Sequence, residues 1–125
     1  MSKLLRILLI EDDPGHARLI QEMLKDAQGL SFVLQWTARL SEGLARAQDG
    51  KIDLVLLDLS LPDGFGVDTF RRAAERMPGV PVLVLSSNDD AQVAEQMCRA
   101  GACAYLVKGQ FDPASLGQAI RSAIR

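Results

Sequence analysis

The sequence predicts an α/β fold: a parallel five-stranded sheet with helices packed on both of its faces. Three observations carry the prediction. Short apolar runs alternate five times with longer segments whose apolar residues recur at helical spacing. Two of the runs, Leu54 to Leu57 and Val82 to Leu85, are apolar at every position, as expected of strands buried on both faces. The connections are short, so each strand–helix–strand unit closes as a right-handed crossover and the helices cover the sheet from both sides.

Leu4 to Ile10 forms the first strand, and a helix runs from about Pro14, with Ala17, Ile20, Leu24 and Ala27 on one stripe. Phe32 to Trp36 is a second strand, whose alternation suits a sheet edge with one wetter face. Ser41 is placed to cap a short helix that ends near Ala47, and Asp49-Gly50 makes the turn after it. Asp53 to Asp58 is the third strand. Gly66 to Met77 is helical, with Val67, Phe70 and Ala74 on its apolar stripe, and Pro78-Gly79 stops it. Val82 to Leu85 is the fourth strand. Asn88 or Asp89 caps the next helix, where Val93, Met97 and Ala100 share a face before Gly101 ends it. Ala104 to Val107 is the fifth strand. Asp112-Pro113 supplies an N-cap and a proline at the first helical position, and Leu116, Ile120 and Ala123 form the last buried stripe. No repeat, low-complexity stretch or linker interrupts the pattern, so one domain over residues 1–125 is expected.

Composition narrows the function classes. A formal net charge of −2 gives no sequence-independent attraction to nucleic acid or to an anionic membrane. Arg71, Arg72 and Arg76 read as a solvated helix face. No apolar run is long enough to span a bilayer, and the N-terminal strand lacks the marks of a signal peptide, which makes the cytoplasm the default compartment. Cys98 and Cys103 are the only cysteines, too few for a disulfide framework or a zinc pattern, and are expected to pack as small reduced apolar residues. His16 is expected to be an exposed first-turn residue and Trp36 to pack on the edge strand.

The chemistry lies at the strand ends. The first strand runs into Glu11-Asp12-Asp13, the third into Asp58, the fourth into Ser86-Ser87 and the fifth into Lys108. In a parallel sheet these ends share one edge, where open α/β sheets form their ligand crevice. Several carboxylates held together repel one another, and a hard divalent cation relieves that repulsion. With a single histidine and no usable thiol pair, the donor set favours Mg²⁺ or Mn²⁺ over zinc. A metal and a lysine together neutralise a transferring phosphoryl group, and an aspartate can be the nucleophile that accepts it.

Four segments now carry a resemblance: Ile10-Glu11-Asp12-Asp13-Pro14, Asp58-Leu59-Ser60-Leu61-Pro62-Asp63-Gly64, Leu85-Ser86, and Gly101-Ala102-Cys103-Ala104-Tyr105-Leu106-Val107-Lys108. Over nearly its whole length the chain resembles the receiver domain of two-component response regulators, of the chemotaxis-regulator kind. The resemblance implies a flavodoxin-like (βα)5 three-layer sandwich with strand order 2-1-3-4-5. It implies that Asp58 accepts phosphate from a phosphohistidine on a sensor histidine kinase or histidine phosphotransfer protein. Asp12 would bind Mg²⁺ directly, Glu11 mainly through water, and the backbone carbonyl of Ser60 would join Asp58 as a further ligand. Asp13 falls just outside the acidic pair. Lys108 would pair with Asp58 and then with the phosphoryl oxygens, Ser86 would hydrogen-bond the phosphoryl group, and Tyr105 would respond by turning inward.

The implied output is a changed surface on the fourth helix, fifth strand and fifth helix, roughly Asp90 to Ala100, Ala104 to Val107 and Ala114 to Ile124. It would be read by a downstream output domain or protein, or by a phosphorylation-linked homodimer. Such a chain is a signalling module and not an enzyme. Gly109 departs from the family, which often has proline after the lysine, and puts the geometry of Lys108 in question. The alternatives are a receiver fold used for phosphorylation-independent docking, an FMN-binding electron carrier of the same topology, and an aspartate-nucleophile phosphatase. Glu11-Asp12-Asp13 would repel an FMN phosphate, and Ser60 stands where the phosphatase would need a second acid.

Overall fold

The computed structural model describes residues 4–124, apart from the side chains of Asp49 and Phe65. The elements run β1 (Leu5–Ile10), α1 (Pro14–Asp26), β2 (Phe32–Thr37), α2 (Leu40–Asp49), β3 (Leu54–Asp58), β4 (Ser60–Leu61), β5 (Gly64–Phe65), α3 (Gly66–Arg76), β6 (Val82–Ser86), α4 (Ala91–Ala100), β7 (Ala104–Val107) and α5 (Pro113–Ala123). Five strands form one parallel sheet in the order β2-β1-β3-β6-β7. Counted along the sheet strands alone, that is the expected 2-1-3-4-5. The remaining two strands, β4 and β5, pair antiparallel as a small separate ribbon immediately after Asp58, where the sequence reading places no strand.

Alternation within the strands builds two cores. Leu5, Ile7, Leu9, Leu54, Leu56, Leu83 and Leu85 face Ala17, Ile20 and Leu24 of α1 and Leu116 and Ile120 of α5. Their neighbours Leu8, Ile10, Val55, Leu57, Val82 and Val84 face α2, α3 and α4 through Leu40, Leu44, Phe70, Ala73 and Met97. Every residue of β3 and β6 is buried, because each strand lies between two others and under helices on both sides. β2 is the sheet edge, as its pattern predicts, and leaves Val33 and Trp36 each 45% exposed.

Two helix starts differ from the sequence reading. Ser41 does not cap α2: the N-cap position is Arg39, which offers no side-chain bond, and Asp63 from the ribbon accepts the backbone N–H groups of Leu40 at 2.8 Å and Ser41 at 2.9 Å instead. The cap of α4 is Asp90, bonded by the N–H of Gln92, while Asn88 accepts the N–H of Asp90. The caps at Asp112 and Gly101 are as expected, with Gly101 in the left-handed region at φ 114. Cys98 and Cys103 are both exposed and do not pack inside, since they fall on the outer side of the α4–β7 turn. No described helix is long and apolar enough to cross a membrane.

Candidate phosphoryl-transfer site

The parallel register brings the strand ends to one edge. Ile10 pairs with Leu57, Asp58 with Leu85 and Ser86 with Val107, so Glu11, Asp58, Ser86 and Lys108 leave the sheet side by side. The Lys108 N–H continues the ladder to the Ser86 carbonyl at 2.8 Å. Glu11 is fully buried, Asp58 is 3% exposed and Ser86 7% exposed, whereas Asp12 stands at the surface. Three buried polar side chains at one sheet edge are costly unless they answer one another or a ligand.

Carboxylate oxygens of Glu11, Asp12 and Asp58 lie within 4.8 Å of one another. Lys108 Nζ sits 2.6 Å from Glu11 Oε1 and 3.3 Å from Asp58 Oδ2, both as ion-pair contacts. Burial, and after it the adjacent Asp58 carboxylate, pushes Glu11 above the ordinary glutamate range, against the pull of Lys108. Burial works against the charge on Lys108, yet Glu11 and Asp58 outweigh it and raise the ammonium above its ordinary range. Lys108 is therefore a fixed cation between two acids.

Glu11 Oε1 is also a fit test for a metal. It is buried, with the Lys108 ammonium at 2.6 Å as its protein contact, and each carboxylate oxygen can accept more than one partner. A buried acceptor of this kind, facing two more carboxylates, matches an oxygen-loving cation or its bound water. The all-oxygen donor set fits Mg²⁺ or Mn²⁺. Asp13 is excluded from the cluster by its own role: its Oδ1 accepts the N–H groups of Gly15 at 2.8 Å and His16 at 3.4 Å as the N-cap of α1. Those bonds hold its carboxyl below the usual carboxylate range.

The ribbon and the loops after β6 and β7 frame Asp58. The Ser60 N–H donates to Asp58 Oδ1 at 3.2 Å, orienting that carboxylate. Ser86 Oγ accepts the N–H of Asn88 at 3.0 Å, which leaves its hydroxyl hydrogen free to donate. The half-buried Tyr105 donates its hydroxyl to the Asn88 carbonyl at 2.6 Å. Asn88 thus joins Ser86 to Tyr105 through its two backbone polar groups. A cleft of about 290 Å³ opens beside these residues, lined by Ser60, Gly66, Val67, Ser86, Asn88 and Met97 among others.

Three residues do more than the sequence alone predicts. Trp36 donates its indole N–H to the Glu11 carbonyl at 2.7 Å, tying the sheet edge to the acidic site. Asn88, legible in the sequence only as a cap, bridges Ser86 and Tyr105. His16 lies 3.3 Å from Lys108 Nζ through Nδ1. The available signal for His16 is its place four residues after Asp12, one turn into a helix that starts at the acidic pair.

Comparison with known proteins bears on the family and the fold. The family model described as "Response regulator receiver domain" matches residues 7–121. The chain is 34% identical over 104 residues to the cell cycle transcriptional regulator CtrA of Caulobacter vibrioides, covering 83% of this chain and 44% of that protein. It is 34% identical over 121 residues to a gliding motility regulatory protein of Myxococcus xanthus, covering 95% of this chain but 15% of that protein. The chain thus spans less than half the length of either relative. Among solved structures, a response regulator receiver domain protein (CheY-like) from Methanospirillum hungatei JF-1 superposes with a TM-score of 0.81 at 26% identity, over 98% of this chain and 94% of that one.

Proposed function

The chain belongs to the response regulator receiver domain family, and we propose that it acts by accepting a phosphoryl group on Asp58 in a metal-dependent step. One observation supports this reading above the others: a buried aspartate at a strand end shares its pocket with two further acids, a lysine and a hydroxyl. Glu11, Asp12, Asp58 and the Ser60 carbonyl are the donors proposed for Mg²⁺. When bound, the cation draws charge from the phosphoryl oxygens and lets the acids stand together.

Each residue of the site has a part in the transfer. One oxygen of Asp58 attacks phosphorus, the bond from phosphorus to the donor imidazole breaks, and its electron pair leaves with the imidazole. The Ser60 N–H holds Asp58 Oδ1, so the attacking oxygen is Oδ2, the one beside Lys108. Lys108 stands 3.3 Å from Asp58 and tracks the growing charge on the phosphoryl oxygens. Ser86 donates its free hydroxyl hydrogen to them.

The proposed signal starts at that last bond. Ser86 moving towards the phosphoryl group draws on the Asn88 N–H, and the Asn88 carbonyl is the acceptor of Tyr105. A shift there biases α4, β7 and α5 between two arrangements, the surface offered to an output domain, a separate protein or a second phosphorylated copy. The donors proposed are a sensor histidine kinase or a histidine phosphotransfer protein, in the cytoplasm. The chain is a switch that is itself modified, not an enzyme that turns over a separate substrate. Incubation with acetyl phosphate, with and without Mg²⁺, tests this by intact mass. One phosphoryl group should appear only with metal and be absent from Asp58→Asn; labelling of Asp58→Asn at the wild-type rate contradicts the proposal.

A further inference from the structure

Lys108 is the cation among the acids of the site, and the backbone after it adds little to its placement. Gly109 is in the left-handed region at φ +84, with open space where a side chain would stand. Glu11 at 2.6 Å and Asp58 at 3.3 Å hold the ammonium from the side of the acids. On the other side Nζ meets an uncharged partner, His16 Nδ1, at 3.3 Å. An ammonium has only hydrogens to give, so this bond forms in the imidazole tautomer that keeps the lone pair on Nδ1. Asp13 Oδ2 also lies near Nδ1, but at 3.6 Å it is beyond hydrogen-bond reach and leaves the acceptor to Lys108.

We propose that His16 is a positioning residue for Lys108, its Nδ1 accepting from the ammonium and so aiming the lysine between Glu11 and Asp58. The proposal deepens the phosphoacceptor reading and rests on it. His16 projects from α1 and Lys108 from the end of β7, so the bond also ties the first helix to the strand end that carries the signal. Ser87, Gly109 and Phe111 share the cavity of about 300 Å³ beside the pair, with Leu19 and Met23 from α1. None of these five offers a competing charge. The imidazole is therefore a third, uncharged partner that holds the ammonium from the side away from the acids.

Two substitutions separate an acceptor from a packing role. His16→Leu keeps apolar bulk and removes the acceptor, and His16→Asn keeps an acceptor oxygen near the Nδ1 position and loses bulk. With acetyl phosphate and Mg²⁺, His16→Leu should be phosphorylated about three- to tenfold more slowly, the worth of one ordinary, partly exposed hydrogen bond. His16→Asn should recover most of the wild-type rate. Equal rates in wild type and His16→Leu, or a slow His16→Asn beside a normal His16→Leu, overturn the proposal. Wild-type protein that takes up no phosphate contradicts the phosphoacceptor reading instead, so the two failures are told apart. Thermal melts of both variants identify any loss that comes from unfolding.

Discussion

At Lys108, one residue serves stability and chemistry by the same means. Its ammonium contacts both Glu11 and Asp58, two buried acids that lie against each other. Replacing it as Lys108→Met leaves both carboxylates without a cation, and breaking a buried pair in this way costs up to about 3 kcal/mol. The sign with pH depends on the direction of its shift. Burial opposes the charge, but the two acids win, so the folded state holds the proton above the ordinary 10.5. The stability it contributes is complete below that ordinary value and is lost as pH rises through the higher folded value. Urea unfolding of wild type and Lys108→Met should therefore differ at neutral pH and converge in strong alkali. The variant should also be phosphorylated at least about tenfold more slowly, since a charge aimed at the developing oxyanions is removed.

At the level of elements, the ribbon β4–β5 connects Asp58 to a helix that lies before it in the chain. Asp63 at its turn caps α2 across 22 and 23 positions of sequence. Burial would raise its pKa, but the N–H groups of Ser41 and Leu40 outweigh that and hold it below the usual range. A depressed carboxylate adds stability above the unfolded value of about 3.9 and loses it as pH falls through the folded one. Asp63→Ala should cost about 1 kcal/mol at neutral pH, as for other lost caps, and the difference should close in acid, as pH falls through the depressed folded value. Thermal melts at neutral and at acid pH check it. This cap also marks what sequence could not reveal. Asp112-Pro113 and Gly101 are adjacent to the helices they bound and were legible; Asp63 acts across a fold that must already exist. Trp36 on Glu11 and His16 on Lys108 were hidden for the same reason.

Over the whole molecule, the order of strands turns local patterns into one site. Apolar runs such as Leu54 to Leu57 announced buried strands, and the polar residue after each run announced the edge where Glu11, Asp58, Ser86 and Lys108 meet. The exposure of Cys98 and Cys103 was not legible, because it depends on which side of the α4–β7 turn faces solvent. The helices α1 and α5 cover one sheet face, and α2, α3 and α4 cover the other. That arrangement leaves α4, β7 and α5 contiguous with Ser86 and Tyr105, the route by which Asp58 would be read. Everything on that route depends on where the phosphoryl group sits, and its location can be read chemically. After reaction with acetyl phosphate and Mg²⁺, borohydride reduces an acyl phosphate to the alcohol, and peptide mapping finds the residue. Homoserine is expected at position 58 alone; reduction at Asp12, Asp13 or Asp63, or at no aspartate, contradicts the assignment of Asp58 as phosphoacceptor.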